Sequence, residues 1–301
     1  MKNFYYEYLQ TLDKNQLIER IYKPFTKRKD LKFKSTRLIA LKISYDGANY
    51  SGLAEYKYGN TVGNHIRNAL EQSSLGSKIV YAGRTDAGVS GISMVASCEV
   101  KSRLESPNQS YSIQDNDYLE FNYDMILNYY LPEDIRITGW APVPVDFSAR
   151  FTCTQRSYRY YFDPEGLDLD RMREMASKIL EMKNFYNLSK HSDKNARYDR
   201  TVDHCEIVED DLLCYLDIRA RSFLHNMVRK IFWVLERAGK GEAVDFNGVG
   251  IAPPQNLVFC EAKYPTSLNF IYNNKNKEIY KAQYIKSCIK FKMDDLRYKQ
   301  M

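Results

Sequence analysis

Apolar positions along this chain follow two rhythms, one near two residues and one near 3.6, and the changes between them mark out strands and helices. Leu38 to Tyr45 reads as a strand closed by Asp46-Gly47. Thr61 precedes Val62, Ile66, Ala69 and Leu70, so the spacing predicts a capped helix through Leu70. Ile79–Ala82 and Ile92–Val100 are strand-like apolar runs. Residues 102–119 are polar, contain Ser106-Pro107-Asn108-Gln109-Ser110, and predict an exposed loop or insertion. Thr154–Phe162 alternates as a strand, and Asp168 predicts the cap of a helix over 169–182. Strands follow near 201–208 and 212–219, then a helix over 222–238 that stops at Gly239.

Two mixed strand-and-helix halves thus fall on either side of a boundary near 145–150. Residues 38–147 form the first and residues 148–265 the second. An extension over residues 1–37 precedes them, with a short helix predicted over 1–22 through Tyr8, Leu12 and Leu17. The tail, residues 266–301, is rich in Lys, Asn and Tyr and predicts a surface helix.

Composition changes this picture modestly. A chain of 301 residues with 44% hydrophobic content can bury a proper core. Lys+Arg of 44 against Asp+Glu of 38 leaves a net charge of +6, compatible with a polyanionic partner without demanding one. Much of the excess lies in residues 23–37, where Lys23, Lys27, Arg28, Lys29, Lys32, Lys34 and Arg37 cluster. This segment reads either as a solvated arm or as an arm for RNA phosphates or a nuclear address. Six cysteines at 98, 153, 205, 214, 260 and 288 form no C-x-x-C pair, and the four histidines form no H-x-x-x-H spacing. Neither a zinc site nor a redox dithiol is expected. The spread suits reduced thiols in the cytoplasm or nucleus, and no apolar run reaches membrane-spanning length.

The chemistry concentrates in Gly83-Arg84-Thr85-Asp86-Ala87-Gly88-Val89-Ser90-Gly91. A buried strand ends there in a loop carrying one guanidinium and one carboxylate. On extended backbone Arg84 and Asp86 share a face, and a cation so placed favours the ionised carboxylate. A surface ion pair at a strand end accounts for the stretch equally well when it is taken alone. In the second half, the strand after Phe147-Ser148-Ala149-Arg150-Phe151 places Arg156, Tyr158 and Tyr160 on one face. That face is either aromatic packing under a helix or a stacking platform. Ser222-Phe223-Leu224-His225-Asn226-Met227-Val228-Arg229, read as a helix, turns Phe223, Met227 and Val228 inward. Arg229 reads as a surface charge, and His225 as a packing or RNA-edge residue without an assigned role.

These stretches, in this order, resemble the TruA-type tRNA pseudouridine synthases, whose signatures are G-R-T-D-x-G-V, F-x-A-R-F-x-x-x-x-R-x-Y-x-Y and F-L-x-x-x-V-R. The resemblance spans roughly residues 38–264, including Tyr45-Asp46-Gly47-x-x-Tyr50-x-Gly52 and Ala252-Pro253-Pro254. It implies an α+β fold of two mixed αβ halves, ferredoxin- or RRM-like, whose antiparallel sheets meet at a central RNA-binding cleft. It implies that Asp86 is the essential catalytic residue, paired with Arg229. Arg84 would grip the substrate, and Tyr158 and Val228 would hold the target base. No cofactor and no metal are implied.

Leu131-Pro132-Glu133-Asp134-Ile135-Arg136 with Trp140-Ala141-Pro142-Val143, Asp168-Leu169-Asp170 and Phe185-Tyr186-Asn187-Leu188-Ser189-Lys190 resemble the eukaryotic branch. That branch modifies uridines 38 and 39 in the tRNA anticodon stem-loop, and a homodimer is compatible with it. Two departures leave the exact uridine open. Gly91 stands where the family usually has alanine, and Leu53-Ala54 replaces the Trp-Gln common in bacterial members. A non-catalytic RNA-binding protein on the same scaffold would not require Asp86. A nucleic-acid hydrolase would normally need clustered carboxylates for metal ions.

Overall fold

The computed structural model describes residues 32–190, 197–210 and 213–298. The helix predicted over 1–22, and the basic segment as far as residue 31, lie outside the described residues.

One nine-stranded mixed sheet organises the chain. The strands are β1 (Ser35–Tyr45), β2 (Ile79–Tyr81), β3 (Ser90–Ser102), β4 (Ile135–Pro142), β5 (Gln155–Phe162), β6 (Val202–Asp210), β7 (Leu213–Ala220), β8 (Leu257–Lys263) and β9 (Ile271–Tyr272). Their order is β6-β7-β5-β8-β3-β1-β4-β9, with β2 paired to β3. The five α-helices among the described residues are α1 (Val62–Gln72), α2 (Tyr123–Tyr130), α3 (Leu169–Glu181), α4 (Met227–Gly239) and α5 (Asn274–Tyr298). The expected pair of antiparallel sheets is joined into one. A short parallel seam, Ser90 against Val258 and Gly91 against Phe259, links β3 of the first half to β8 of the second.

The local signals work as their chemistry requires. The Thr61 hydroxyl accepts from the Asn64 amide at 3.1 Å, and Asp168 accepts from the amides of Asp170 and Arg171, so both helices start at a satisfied cap. Strand β5 buries alternate residues, Arg156, Tyr158, Tyr160 and Phe162. Helix α4 covers the far end of that face, where Tyr160 stacks on Phe232 at 3.9 Å.

Three expectations are corrected. Helix α4 begins at Met227, not 222, because Asn226 adopts a left-handed conformation (φ 62°) that interrupts helical hydrogen bonding. Residues 222–226 are therefore a loop. The polar stretch 102–119 is not simply exposed, since Ser102, Asn108 and Asp117 are buried. The reason lies in Arg37, counted above with a solvated arm. It belongs to β1, is 1% exposed, and bonds Asp117 at 2.8 Å and the Asn108 carbonyl at 2.7 Å. Glu120 lies 3.5 Å away and the Trp140 ring lies 5.1 Å from the guanidinium. A guanidinium inside the protein must be compensated by charge and hydrogen bonds, and the polar stretch supplies both.

Candidate active site

The seam strands align one row of residues across the sheet. Tyr45 of β1 lies opposite Gly91 of β3, Gly91 opposite Phe259 of β8, and Phe259 opposite Tyr158 of β5. This register brings tyrosines from both halves under the loop Gly83–Val89.

That loop is braced from below. The Thr85 carbonyl accepts from the Leu53 amide (3.2 Å), and the Gly88 amide donates to the Tyr50 carbonyl (3.1 Å). The Thr85 hydroxyl is 2.9 Å from the buried Tyr45 hydroxyl. Gly52 has φ +99° and lies so near the loop that a Cβ there would be 2.7 Å from the Thr85 carbonyl oxygen. The opening Tyr-Asp-Gly-x-x-Tyr-x-Gly stretch is thus the floor of the signature loop. The departure at Gly91 also has a local reason, since a Cβ would meet the Tyr45 ring at 2.8 Å. The missing methyl leaves room for the ring that anchors Thr85.

Asp86 is held on both carboxylate oxygens. Arg229, in the first turn of α4, places Nη1 3.4 Å from Oδ2, and His225 places Nε2 3.4 Å from Oδ1. Arg229 is itself fixed, because its Nε donates to the Ala252 carbonyl at 2.7 Å and its carbonyl accepts from the Ala252 amide. Asp86 keeps 24% of its side chain exposed and His225 45%, so the pair is reachable from solvent.

Tyr158 is buried between Phe223 and Phe259, edge-on to both at 5.2 Å. Its hydroxyl points toward Gly83, where a Cβ would lie 3.9 Å away. Burial raises its pKa well above the usual phenol value, and the charges of Tyr45 and Asp86 push it further the same way, so it stays a neutral phenol. Val228 is buried at the start of α4.

The expected partnership of Arg84 with Asp86 is not formed. Residues 83–86 belong to no strand, and Arg84 is exposed and has no ion pair among the described residues. The structure brings Asp86, Arg229 and Tyr158 together and leaves Arg84 at the rim.

Sequence reasoning missed two residues. His225 reaches Asp86 only because the 222–226 loop is not helical. Arg156, placed on the aromatic face, is a buried strut. It donates to the carbonyls of Ala82 (Nε, 2.9 Å), Arg150 (2.8 Å) and Arg221. Ala82 immediately precedes the signature and Arg221 immediately precedes the His225 loop, so one guanidinium sets both. A basic residue inside an alternating apolar face was the available signal.

A protein-family profile described as tRNA pseudouridine synthase matches residues 177–245. Among curated relatives, tRNA pseudouridine synthase A of Methanothrix thermoacetophila is 33% identical over 241 residues, 75% of this chain and 83% of that protein. This chain belongs to the tRNA pseudouridine synthase family. The tRNA pseudouridine(38/39) synthase of Bos taurus is 34% identical over 230 residues, 68% of this chain and 48% of the relative. The Saccharomyces cerevisiae protein of the same name is 34% identical over 229 residues, 71% of this chain and 51% of the relative. The chain therefore spans about half the length of these eukaryotic synthases.

Proposed function

We propose that this chain is a tRNA pseudouridine synthase that isomerises uridine in the anticodon stem-loop, at position 38 or 39, in the cytoplasm or nucleus. The observation that carries this reading is Asp86, held by Arg229 and His225 and still open to solvent, beside the aromatic slot of Tyr158.

The reaction breaks the bond between ribose C1′ and uracil N1, turns the base, and forms a bond from C1′ to C5. The proton lost at C5 balances the one gained at N1, so the change is isomeric. Asp86 is the residue that acts on the nucleotide, whether on the sugar, on the base or on a ribose proton. Arg229 orients the carboxylate. Tyr158 and Val228 line the space for the flipped base, and exposed Arg84 meets the RNA strand. Extrusion costs a few kcal/mol, which stacking and phosphate contacts offset. In this reading the two halves are ferredoxin-like units and the RNA lies in the groove between them. Two copies of the chain can associate as a homodimer.

The test is to incubate the purified protein with unmodified tRNA and map pseudouridine by position. Product at 38 or 39 is expected. Product elsewhere reassigns the target, and binding without product makes the chain an RNA-binding protein.

A further inference from the structure

We propose that two basic pockets, lined by opposite ends of the Ser222–Asn226 loop that carries His225, bind the backbone phosphates that flank the target nucleotide. This rests on reading the site as one that modifies RNA.

Both pockets are built on the segment that carries the site. One, of about 530 Å³, is lined by Lys183, Arg200, Arg221 and Ser222. The other, of about 420 Å³, is lined by Lys190, Asn226 and Lys230 with the Val249–Ile251 backbone. His225 lies between Ser222 and Asn226, and Arg229 adjoins Lys230. Four residue steps from Ser222 to Asn226 span at most ~14 Å. A strand whose base enters the Asp86 site thus has its neighbouring phosphates within reach of both pockets.

Cations outnumber acids in both linings. The second pocket has no carboxylate in its lining. Lys230 donates to the Asn187 carbonyl at 3.2 Å, and burial lowers its pKa, as expected of an ammonium without an anion. In the first pocket, Arg200 donates through Nη1 to the carbonyls of Arg197 and Asp199, while its buried Nε has no hydrogen-bond partner among the described residues. Lys183 and Arg221 form no ion pair among the described residues. Its two acids, Asp199 and Asp203, accept from the side-chain amides of Asn184 (3.0 Å) and Gln155 (3.2 Å), and Lys183, Arg200 and Arg221 exceed them by one positive charge. An acidic peptide would also satisfy these cations. The position of both pockets at the ends of the loop that brings His225 to Asp86 favours the substrate's own phosphates, which set register without reading sequence.

The experiment uses anticodon-arm RNA in which each phosphodiester near the target uridine is replaced in turn by an uncharged methylphosphonate. Binding is measured to the full chain carrying Asp86→Asn, so that no turnover intervenes. Two further proteins add Lys190→Gln with Lys230→Gln, or Lys183→Gln with Arg221→Gln. Neutralising either of two particular phosphates should weaken binding of the parent several-fold. Each double substitution should abolish sensitivity to one of them and reduce the slope of log K against log salt by about 0.7 per phosphate contact. Uniform sensitivity along the strand in the parent, or unchanged phosphate sensitivity in both variants, overturns the proposal. Pseudouridine formation by the unaltered protein is scored separately. Product without phosphate coupling removes the pockets alone, and coupling without product removes the enzymatic reading alone.

Discussion

Two carboxylate–guanidinium clusters in this molecule have opposite designs. Around Arg37 the charges are sealed. The side chains of Arg37, Asp117 and Glu120 are 0% exposed, with the shorter ion pair at 2.8 Å and the carboxylates further bonded to Asn108 and Ser102. Around Asp86 the Arg229 and His225 nitrogens both lie 3.4 Å away, longer than an ideal charge-assisted hydrogen bond, and the carboxylate remains partly open. The first cluster is closed to any ligand by its burial, although the buried Nε of Arg37 has no hydrogen-bond partner among the described residues. The second keeps capacity, and its position is set by residues that do not touch the carboxylate, among them Arg156, Tyr45 and Ala252. Complete burial suits an ion pair that serves the fold, and partial exposure on a braced frame suits one proposed to serve chemistry.

The comparison breaks most sharply at Asp86. Asp86→Asn keeps the shape and loses the charge, so single-turnover pseudouridine formation should fall by at least about 10³-fold, within the range for removing an acid–base group. tRNA affinity should stay within a few fold and thermal stability should hold. Appreciable residual turnover would remove Asp86 from its role.

Arg37→Met should show the reverse. Removing one partner of a buried ion pair leaves uncompensated carboxylates and costs about 3–5 kcal/mol. Denaturant unfolding should show that loss, while the folded fraction keeps its specific activity. A loss below about 1 kcal/mol would mean that the buried cluster is energetically neutral.

Asp124 gives a third carboxylate, buried with no cation partner among the described residues and bonded to Asn276 in the first turn of α5. Burial pushes its pKa up to about 6 from 3.8. Folding therefore favours the protonated acid, and the resulting stability is present below pH 3.8 and lost as pH rises through 6. At about 1.4 kcal/mol per unit, roughly 3 kcal/mol should disappear over that window. Asp124→Asn should flatten this part of the stability–pH curve, and an unchanged curve would rule out Asp124 as its source.

Tyr158 sharpens the chemical side. Stacking on a base is worth about 1–3 kcal/mol, so Tyr158→Leu should slow single turnover at least roughly tenfold, and Tyr158→Phe should retain most of the rate. Equal loss in both would give the hydroxyl a chemical role, and near-normal rates in both would make Tyr158 a packing residue like Tyr160. The smallest effect expected is at His225. His225→Gln retains a donor near Asp86 and should slow turnover a few fold, far less than Arg229→Gln. Equal losses would make the two contacts equivalent.

Features that depend on neighbours in the chain were legible in the sequence. Thr61 and Asp168 cap their helices, β5 alternates, and the signature loop follows its strand, because caps, period and turns are decided within a few residues. The pairing of Arg229 with Asp86 was reached through family resemblance, which carries three-dimensional information that periodicity lacks. Other features required the tertiary structure. The β3–β8 seam joins residues far apart in sequence, and no local pattern encodes that register. Arg37 looked like part of a basic arm because its compensating acids lie at 117 and 120. The loop at 222–226 looked helical because its composition allows a helix, and the left-handed Asn226 decides otherwise. That conformation turns His225 toward Asp86, while residues 83–86 belong to no strand and Arg84 stays exposed. The sequence by itself determined which residues could do the chemistry. Long-range packing decided which of them meet, because the register of distant strands and the compensation of buried charge are properties of the whole fold.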